Sequence, residues 1–168
     1  MKKLHLWLDN LNSAIGKGTS YLVILMAAIV LYEVFMRYLF NKPTLWALEL
    51  TTFIYGTHFM LGAGYVYLLK KHVHIEIVEQ RFPDRTRAIL RIITFWVIFL
   101  PFIGSMFLRS IFYAHKSWAM WEKAWTAWAP PLYPIKTVMP VAFLLLLLQG
   151  FSNFLKDVEY LKGGSNEP

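Results

Sequence analysis

The sequence contains no cysteine, and only 16% of its 168 residues are charged, against 57% that are apolar. The lack of cysteine excludes disulfide scaffolds, thiol nucleophiles and cysteine-ligated zinc. So few charged side chains cannot cover a water-soluble globule this hydrophobic, and the same composition excludes a disordered chain. The length fits one domain. These numbers predict a single-domain membrane protein over residues 1–168.

Four stretches are long and apolar enough to span a bilayer, which needs roughly 17–25 helical residues. They are residues 19–40, 46–69, 92–112 and 137–155. A water-soluble four-helix bundle would keep a polar face on each helix, but the run 141–148 contains only Val, Ala, Phe and Leu. The sequence therefore predicts an all-α integral membrane protein with four transmembrane helices.

The N-terminal arm, residues 1–18, is predicted to form an interfacial amphipathic helix. Leu4, Leu8, Leu11 and Ile15 recur at helical spacing, and polar residues occupy the rest of the helix surface. Asp9 interrupts what would be the apolar core of a signal peptide, and no small-x-small cleavage site follows the first apolar run. We expect the arm and the first span to be retained as a membrane anchor.

A second interfacial segment is predicted where four tryptophans follow the third span. Trp118, Trp121, Trp125 and Trp128 are spaced three, four and three residues apart, so on a helix they would form one indole stripe. Indole rings favour the headgroup level of a bilayer, where the ring is buried and the N–H stays hydrated. The stripe predicts membrane anchoring or partner contact, with a sugar or aromatic ligand as the alternative.

The distribution of basic residues predicts the orientation. With an even number of spans, the N-terminal arm, the second connection and the C-terminal tail share one side and hold eleven of the 17 Lys and Arg residues. Both chain ends are therefore expected in the cytoplasm. The net charge of +7 then reflects orientation and anionic lipid, and no nucleic acid is expected. The cytoplasmic basic segment comprises Lys70, Lys71, Arg81, Arg85, Arg87 and Arg91.

Ionisable residues within spans cost ~2.5–3.5 kcal/mol each on insertion scales, so each needs an explanation. Glu33 and Arg37 are four residues apart in the favourable order for an intrahelical ion pair, although a substrate or proton site is the alternative. Glu49, near the start of the second span, is predicted to cap that helix or to pair with Arg37 or Lys42. These are mainly structural interpretations.

Histidines provide the remaining candidates for metal or haem chemistry. A single histidine in mid-span, His58, is most often hydrogen-bonded to a neighbouring helix, since haem ligation would need a facing second ligand. The pattern His72-x-His74-x-Glu76 would share one face on a strand and could bind metal there, but not on a helix.

Two glycines of the second span, Gly62 and Gly64, predict a packing face, because small residues let helices approach closely in lipid. Gln149 in the fourth span is a candidate for an interhelical hydrogen bond. Zinc-protease, P-loop and nucleophile-elbow motifs are absent from the sequence. We expect no enzyme activity and no cofactor, and the few isolated polar groups favour a partner or scaffold over a complete transporter.

Three short patterns occur in order along the chain. They are FMRYLF at 35–40 with Pro43, Trp46 and Glu49; LGAGY at 61–65 with HVHIE at 72–76; and PLYPIK at 131–136 with Pro140 and LQG at 148–150. Together they resemble the small membrane subunit of TRAP transporters, the DctQ-like family. The second pattern departs from the family at Glu76, where Asp is common.

The resemblance implies a bacterial inner-membrane protein without a cofactor. In such systems a periplasmic binding protein delivers a small organic anion, a carboxylate or sulfonate, and transport is generally sodium-driven. The substrate and coupling-sodium sites are expected in the large membrane subunit, and the small subunit is expected to act as a scaffold that contributes to docking. Membrane lipids are a further expected partner.

Mapped onto this chain, the resemblance predicts partner or scaffold contacts at Arg37, Trp46, Glu49, Gly62, Gly64, Trp118, Trp121, Trp125 and Trp128. Two other classes stay open at this point. One is a self-sufficient small transporter that uses Glu33 or Glu49 as an intramembrane coupling carboxylate. The other is a membrane cytochrome or a metal-dependent enzyme.

Overall fold

The computed structural model describes residues 2–69 and 83–162, which are helical except in the connecting loops. No strand occurs in these two ranges, so the all-α prediction is confirmed. Helix α1 runs over Lys2–Tyr38 and α2 over Ala47–Leu68. Helix α3 (Asp84–Thr94) continues through a π-helical turn (Phe95–Phe99) into α4 (Leu100–Ala119), and α5 covers Tyr133–Leu161.

Among the described residues, three helices are long and apolar enough to cross a membrane: Leu4–Tyr38, Asp84–Ala119 and Tyr133–Leu161. Large apolar side chains such as Ile24 and Phe112 are exposed on them, as expected where lipid is the solvent. Helix α2, which contains three threonines, Glu49 and His58, is not among these three. Three of the four predicted spans thus have the required length and composition, and the span predicted over residues 46–69 stays a prediction.

The N-terminal arm is not a separate helix, because α1 runs from Lys2 through the arm into the first span without a break. At about 1.5 Å per residue α1 is about 55 Å long, well beyond the ~30 Å hydrocarbon core. The residues that the arm buries also differ from the predicted leucine face: His5 and Asn12 are buried beside Leu8, whereas Leu4 is half-exposed. The predicted position of the arm in the membrane interface stays a prediction.

Helix α5 is the centre of the bundle and contacts every other described helix, whereas α1 and α2 form an antiparallel hairpin on one side of it. The π-helical turn lies directly before Pro101, which has no N–H to donate and would crowd the carbonyl of Val97 in a regular helix. Phe95 in this turn stacks on Phe154 of α5, with ring centroids 5.0 Å apart.

The bundle has two polar ends with different connections. The loop end holds the turn 39–46 between α1 and α2 and the tryptophan loop, residues 120–132, between α4 and α5. The tail end holds the first turns of α1 and the last turns of α5. Most of the polar side chains that the sequence singled out lie at one of these ends.

Candidate functional site

Glu33 binds the end of α1 to the turn that follows it. Its Oε1 accepts hydrogen bonds from Arg37 Nε at 3.1 Å and Nη2 at 2.6 Å, so the predicted intrahelical pair is present. Its Oε2 accepts from the backbone N–H of Thr44 at 3.0 Å and from the Thr44 hydroxyl. Both carboxylate oxygens are therefore used, and this arrangement fixes the turn instead of leaving a carboxylate available for coupling.

Glu49 connects the two loops of the loop end. It lies in the first turn of α2, and its Oε2 accepts a hydrogen bond from the Thr126 hydroxyl at 2.9 Å. The predicted pairing of Glu49 with Arg37 or Lys42 is replaced by this contact with the tryptophan loop, which sequence spacing could not reveal. Next to it, the predicted contact residue Trp46 stacks on Tyr32 of α1, with ring centroids 5.8 Å apart.

The four tryptophans do not form a helical stripe, because α4 ends at Ala119. Trp121 adopts a left-handed φ of 48°, which reverses the chain and places the later tryptophans in the tryptophan loop. Trp118, still helical, donates from Nε1 to the Thr137 hydroxyl at 2.8 Å. Trp125 is fully exposed, whereas Trp128 is only partly exposed. The sequence interpretation erred because it continued the helix past its true end.

Backbone pairing gives the tryptophan loop a defined shape. Ala124 N donates to Pro130 O at 2.9 Å, Leu132 N donates to Glu122 O at 2.9 Å, and Lys123 pairs with Pro131 in an isolated antiparallel bridge.

Ring contacts fix the first part of the tryptophan loop. The distances between ring centroids are 4.4 Å for Trp118–Tyr133, 5.4 Å for Trp121–Tyr133 and 6.2 Å for Trp118–Trp121. The loop therefore presents Trp125 on an ordered support.

An ion pair holds the tryptophan loop to α5. Lys136 Nζ lies 2.5 Å from Glu122 Oε2 and 4.1 Å from the centre of the Tyr113 ring. The hydrogen bond from Lys136 lowers the pKa of the Glu122 carboxyl below its ordinary value. The carboxylate of Glu122 is thus kept ionised, and the loop end gains a fixed cross-connection.

The middle of the bundle contains one histidine and two glycines with different roles. His58 Nδ1 donates to the backbone carbonyl of Thr19 on α1 at 2.9 Å, as expected for a histidine that bonds to a neighbouring helix. A Cβ on Gly64 would collide with the side-chain amide of Asn12, so this glycine permits close packing of α1 and α2. At Gly62 nothing lies within 4 Å of an added Cβ, so its face of α2 is open.

The tail-end network is the largest polar cluster among the described residues. Asp9 Oδ1 accepts from Gln149 Nε2 at 2.9 Å and from the Ser152 hydroxyl at 2.7 Å, and Asp9 Oδ2 lies 2.6 Å from Lys156 Nζ. Gln149 and Ser152 are both fully buried, and Asn12 Nδ2 contacts the Leu145 carbonyl at 3.5 Å. The interhelical bond predicted for Gln149 is present, with Asp9 as its acceptor.

Sequence reasoning missed this network because it considered Asp9 only as an interruption of a signal peptide. A usable signal exists in the spacing of the polar residues. His5, Asp9 and Asn12 are four and three residues apart, and Gln149, Ser152 and Lys156 are three and four apart. Each set shares one helix face, which indicates two complementary polar stripes within otherwise apolar helices.

The basic segment is only partly described, because Lys70, Lys71 and Arg81 lie outside the described residues, as does the His72-x-His74-x-Glu76 pattern. Arg91 binds Asp157 of α5 through Nε at 3.0 Å and Nη2 at 2.7 Å. Arg87 lies 3.2 Å from Asp84 one turn earlier, and Arg85 is exposed. Arg91 thus ties α3 to α5.

Nothing in residues 2–69 and 83–162 indicates a cofactor or solute site. No cluster of three or more histidine and carboxylate side chains is arranged to hold a metal there. The leading cavities in these ranges are lined by apolar side chains, prolines and threonines, with no charged group. Within the described part of the chain, the carboxylates of the helices take part in internal contacts.

Comparison with known proteins identifies the family. The model of the family described as "Tripartite ATP-independent periplasmic transporters, DctQ component" matches residues 26–159. A curated relative, the "C4-dicarboxylate TRAP transporter small permease protein DctQ" of Vibrio cholerae serotype O1 (strain ATCC 39315 / El Tor Inaba N16961), is 28% identical over 105 residues. This match covers 60% of the present chain and 42% of the Vibrio protein, so it spans less than half of that relative's length.

The family match extends from the second half of α1 to the last turn of α5 and includes the loop end. It agrees with the three long apolar helices, and it places the chain in a family of membrane transporter components rather than of enzymes. The resemblance drawn from the three sequence patterns is confirmed. The chain belongs to the DctQ component family of the tripartite ATP-independent periplasmic transporters.

Proposed function

We propose that this chain is the small scaffold and docking subunit of a sodium-driven transporter for a small organic anion. A periplasmic binding protein would deliver the anion, a carboxylate or sulfonate, and the large membrane subunit would carry out transport and bind the coupling sodium. The name of the family, a component of a tripartite system, supports two further components. The Vibrio relative is named for C4-dicarboxylates, which supports a dicarboxylate as the first anion to test.

The observation that carries this proposal is that three ionisable side chains of α1 and α2 each bind another group of this chain. Glu33 binds Arg37 and Thr44, Asp9 binds Gln149, and His58 binds Thr19. A solute pathway needs polar groups that are free to exchange partners with the solute, and transporter sites are typically built on broken helices. The self-sufficient transporter that uses Glu33 is disfavoured for this reason.

We propose that α2 is the second of four membrane spans. Its 22 residues cover about 33 Å, which suits a hydrocarbon core of ~30 Å. Its polar side chains are compatible with lipid because the threonine hydroxyls bond to carbonyls one turn earlier and His58 bonds to α1. With four spans both chain ends lie on the same side, and the distribution of basic residues supports the cytoplasm of a bacterial inner membrane for that side, with the loop end in the periplasm.

Two surfaces would then contact the partners. The open face of α2, where Gly62 lies, suits a helix of the large subunit because small residues allow close approach in lipid. The tryptophan loop presents Trp125 towards the periplasmic side, where the binding protein arrives, and the exposed guanidinium of Arg37 lies at the same end. Gly64, Trp46 and Glu49 make contacts within the chain, so they would support these surfaces indirectly.

Co-purification followed by reconstitution tests the proposal. The chain carries a C-terminal affinity tag, is extracted from native membranes in a mild detergent, and is reconstituted alone or with the proteins that bind it. A large polytopic protein in equal amount is expected, and uptake of a labelled C4-dicarboxylate is expected only with that protein, the binding protein and a sodium gradient. Uptake by this chain alone would overturn the scaffold assignment.

A further inference from the structure

A narrow groove runs along the outside of the α2–α5 pair at the loop end. Two adjoining cavities of about 350 Å³ and 160 Å³ share Pro134 and Val138 as lining residues. The α2 wall extends from Phe53 to Leu61, which is eight residue steps or about 12 Å of helix. The walls of the groove are one stripe from each helix: Phe53, Thr57 and Leu61 on α2, and Pro134, Val138 and Val141 on α5.

The hydroxyl groups in the lining of the groove are already engaged in hydrogen bonds within the chain. Thr57 and Thr137 supply its hydroxyls, and each donates to a backbone carbonyl one turn earlier, Phe53 O and Tyr133 O, at 2.8 Å. The Thr137 hydroxyl also accepts the Trp118 Nε1 hydrogen bond. A polar or charged ligand would lose its hydration without gaining a partner here, so the groove suits a hydrocarbon.

The volume of the groove fits a single hydrocarbon chain better than a protein helix. A methylene group takes slightly less room than a water molecule, about 30 Å³, so the larger cavity alone holds about a dozen methylenes. A helix is about 10–12 Å across, and a 12 Å length of it occupies roughly 900 Å³. The groove therefore admits an acyl chain over its whole length but only the side chains of a helix.

The loop end closes the groove on one side and places a cation next to that closure. The tryptophan loop lines the larger cavity of the groove with Trp128, Pro130 and Pro131. Lys123 is paired with Pro131 in the isolated bridge, which brings this exposed lysine beside the groove. Within the described residues no carboxylate forms an ion pair with Lys123, whereas the neighbouring Lys136 binds Glu122. An anionic headgroup would complement this charge.

We propose that the α2–α5 groove binds one phospholipid, with an acyl chain between Phe53 and Val141 and an anionic headgroup near Lys123. The lipid would fill the outer seam between two helix hairpins, the α1–α2 pair and the α4–α5 pair, where the protein itself leaves space. This inference concerns the chain and its membrane only, so it does not depend on the transported anion or on the identity of the large subunit.

Native mass spectrometry of the complex purified from membranes tests the proposal, with phosphatidylglycerol and phosphatidylethanolamine added back after delipidation. Wild type is expected to retain one phospholipid per chain. Val138→Trp fills the groove and should reduce retention at least fivefold. Val97→Trp is the matched control, because Val97 is 68% exposed on another helix and its replacement should leave retention unchanged. Equal retention in wild type and Val138→Trp would overturn the proposal.

Two further measurements keep the test decisive if Val138→Trp fails to fold. Replacing Val138 with the photoreactive p-benzoylphenylalanine should yield an adduct with the mass of a phospholipid, whereas a peptide of the large subunit would show a protein occupant and refute the lipid. Lys123→Gln should reduce the preference for phosphatidylglycerol at least threefold, and Lys42→Gln should not. Because retention is measured on this chain, absence of a co-purifying large subunit would count only against the scaffold role.

Discussion

Removal of the Asp9 carboxylate is expected to destabilise the whole bundle, although Asp9 lies in the N-terminal arm. The carboxylate accepts the Gln149 amide at 2.9 Å and the Ser152 hydroxyl at 2.7 Å, and both donors are fully buried on the central helix α5. Asp9→Ala removes their shared acceptor. The variant therefore loosens the packing of α1 on α5, which is the contact that joins the two hairpins at the tail end.

The size of the effect follows from the partners that remain. A buried donor without a partner costs about 1–3 kcal/mol. The Gln149 amide keeps a 3.3 Å contact with Asn153, and the Ser152 hydroxyl keeps one of 3.4 Å with the His5 carbonyl. The free-energy cost for each of these two donors therefore lies near the lower end of that range. The ion pair with Lys156 is one-third exposed and adds at most about 1 kcal/mol. The free energy of unfolding should fall by about 2–4 kcal/mol.

Tryptophan fluorescence during heating in detergent measures this loss. A decrease of 2–4 kcal/mol corresponds to a fall in Tm of roughly 5–15 °C for a chain of this size. Asn10→Ala is the matched control, because Asn10 is exposed on the next position of the same helix and its Tm should change by less than about 2 °C. The argument fails if Asp9→Ala and Asn10→Ala melt together, since the network would then contribute nothing to stability.

Two other contacts give predictions that can be measured directly. Gly64→Leu should prevent folding, because the new side chain collides with Asn12. Gly62→Leu should fold normally and reduce co-purification of the large subunit at least threefold. Equal expression and equal complex yield of the two variants would contradict the glycine assignments. The Glu122 carboxyl has a pKa lowered by Lys136, so their ion pair should stabilise the tryptophan loop above the ordinary pKa of 4.5 and be lost as the pH falls through the lowered value. An acid titration of tryptophan fluorescence should show this step in wild type and not in Glu122→Gln, and identical titrations would refute the assignment.

Residue spacing within one helix was sufficient for the local predictions. The Glu33–Arg37 pair follows from a separation of four residues in a continuous helix, and the three apolar helices follow from runs long enough to span a bilayer. These features need no knowledge of the tertiary arrangement. The hydrogen bonds of His58 and Gln149 could be anticipated in kind, because a polar group in an apolar helix needs a partner, but the partners Thr19 and Asp9 could not.

The misplaced features depend on where a helix stops and which neighbour it meets. The tryptophan spacing of three, four and three suits a helix, but the left-handed residue Trp121 ends α4 and the later indoles diverge. The leucines of the N-terminal arm resemble an interfacial face, but the buried face of the arm contains His5, Leu8 and Asn12, because α5 presents a complementary polar stripe. Such complementarity between distant segments cannot be derived from one helix alone.

The distribution of polar contacts bears on whether this bundle can move during transport. An element that alternates between two positions must exchange its polar contacts at little net cost, since each buried group left without a partner costs about 1–3 kcal/mol. Here Asp9, Arg91 and Glu122 tie separate parts of the chain to α5, and Glu33 fixes the adjacent turn. Sliding α5 past α1 or α3 would break several of these contacts together. These contacts suit the static support that we propose for this chain, in which case the motion that transport requires would belong to the large subunit.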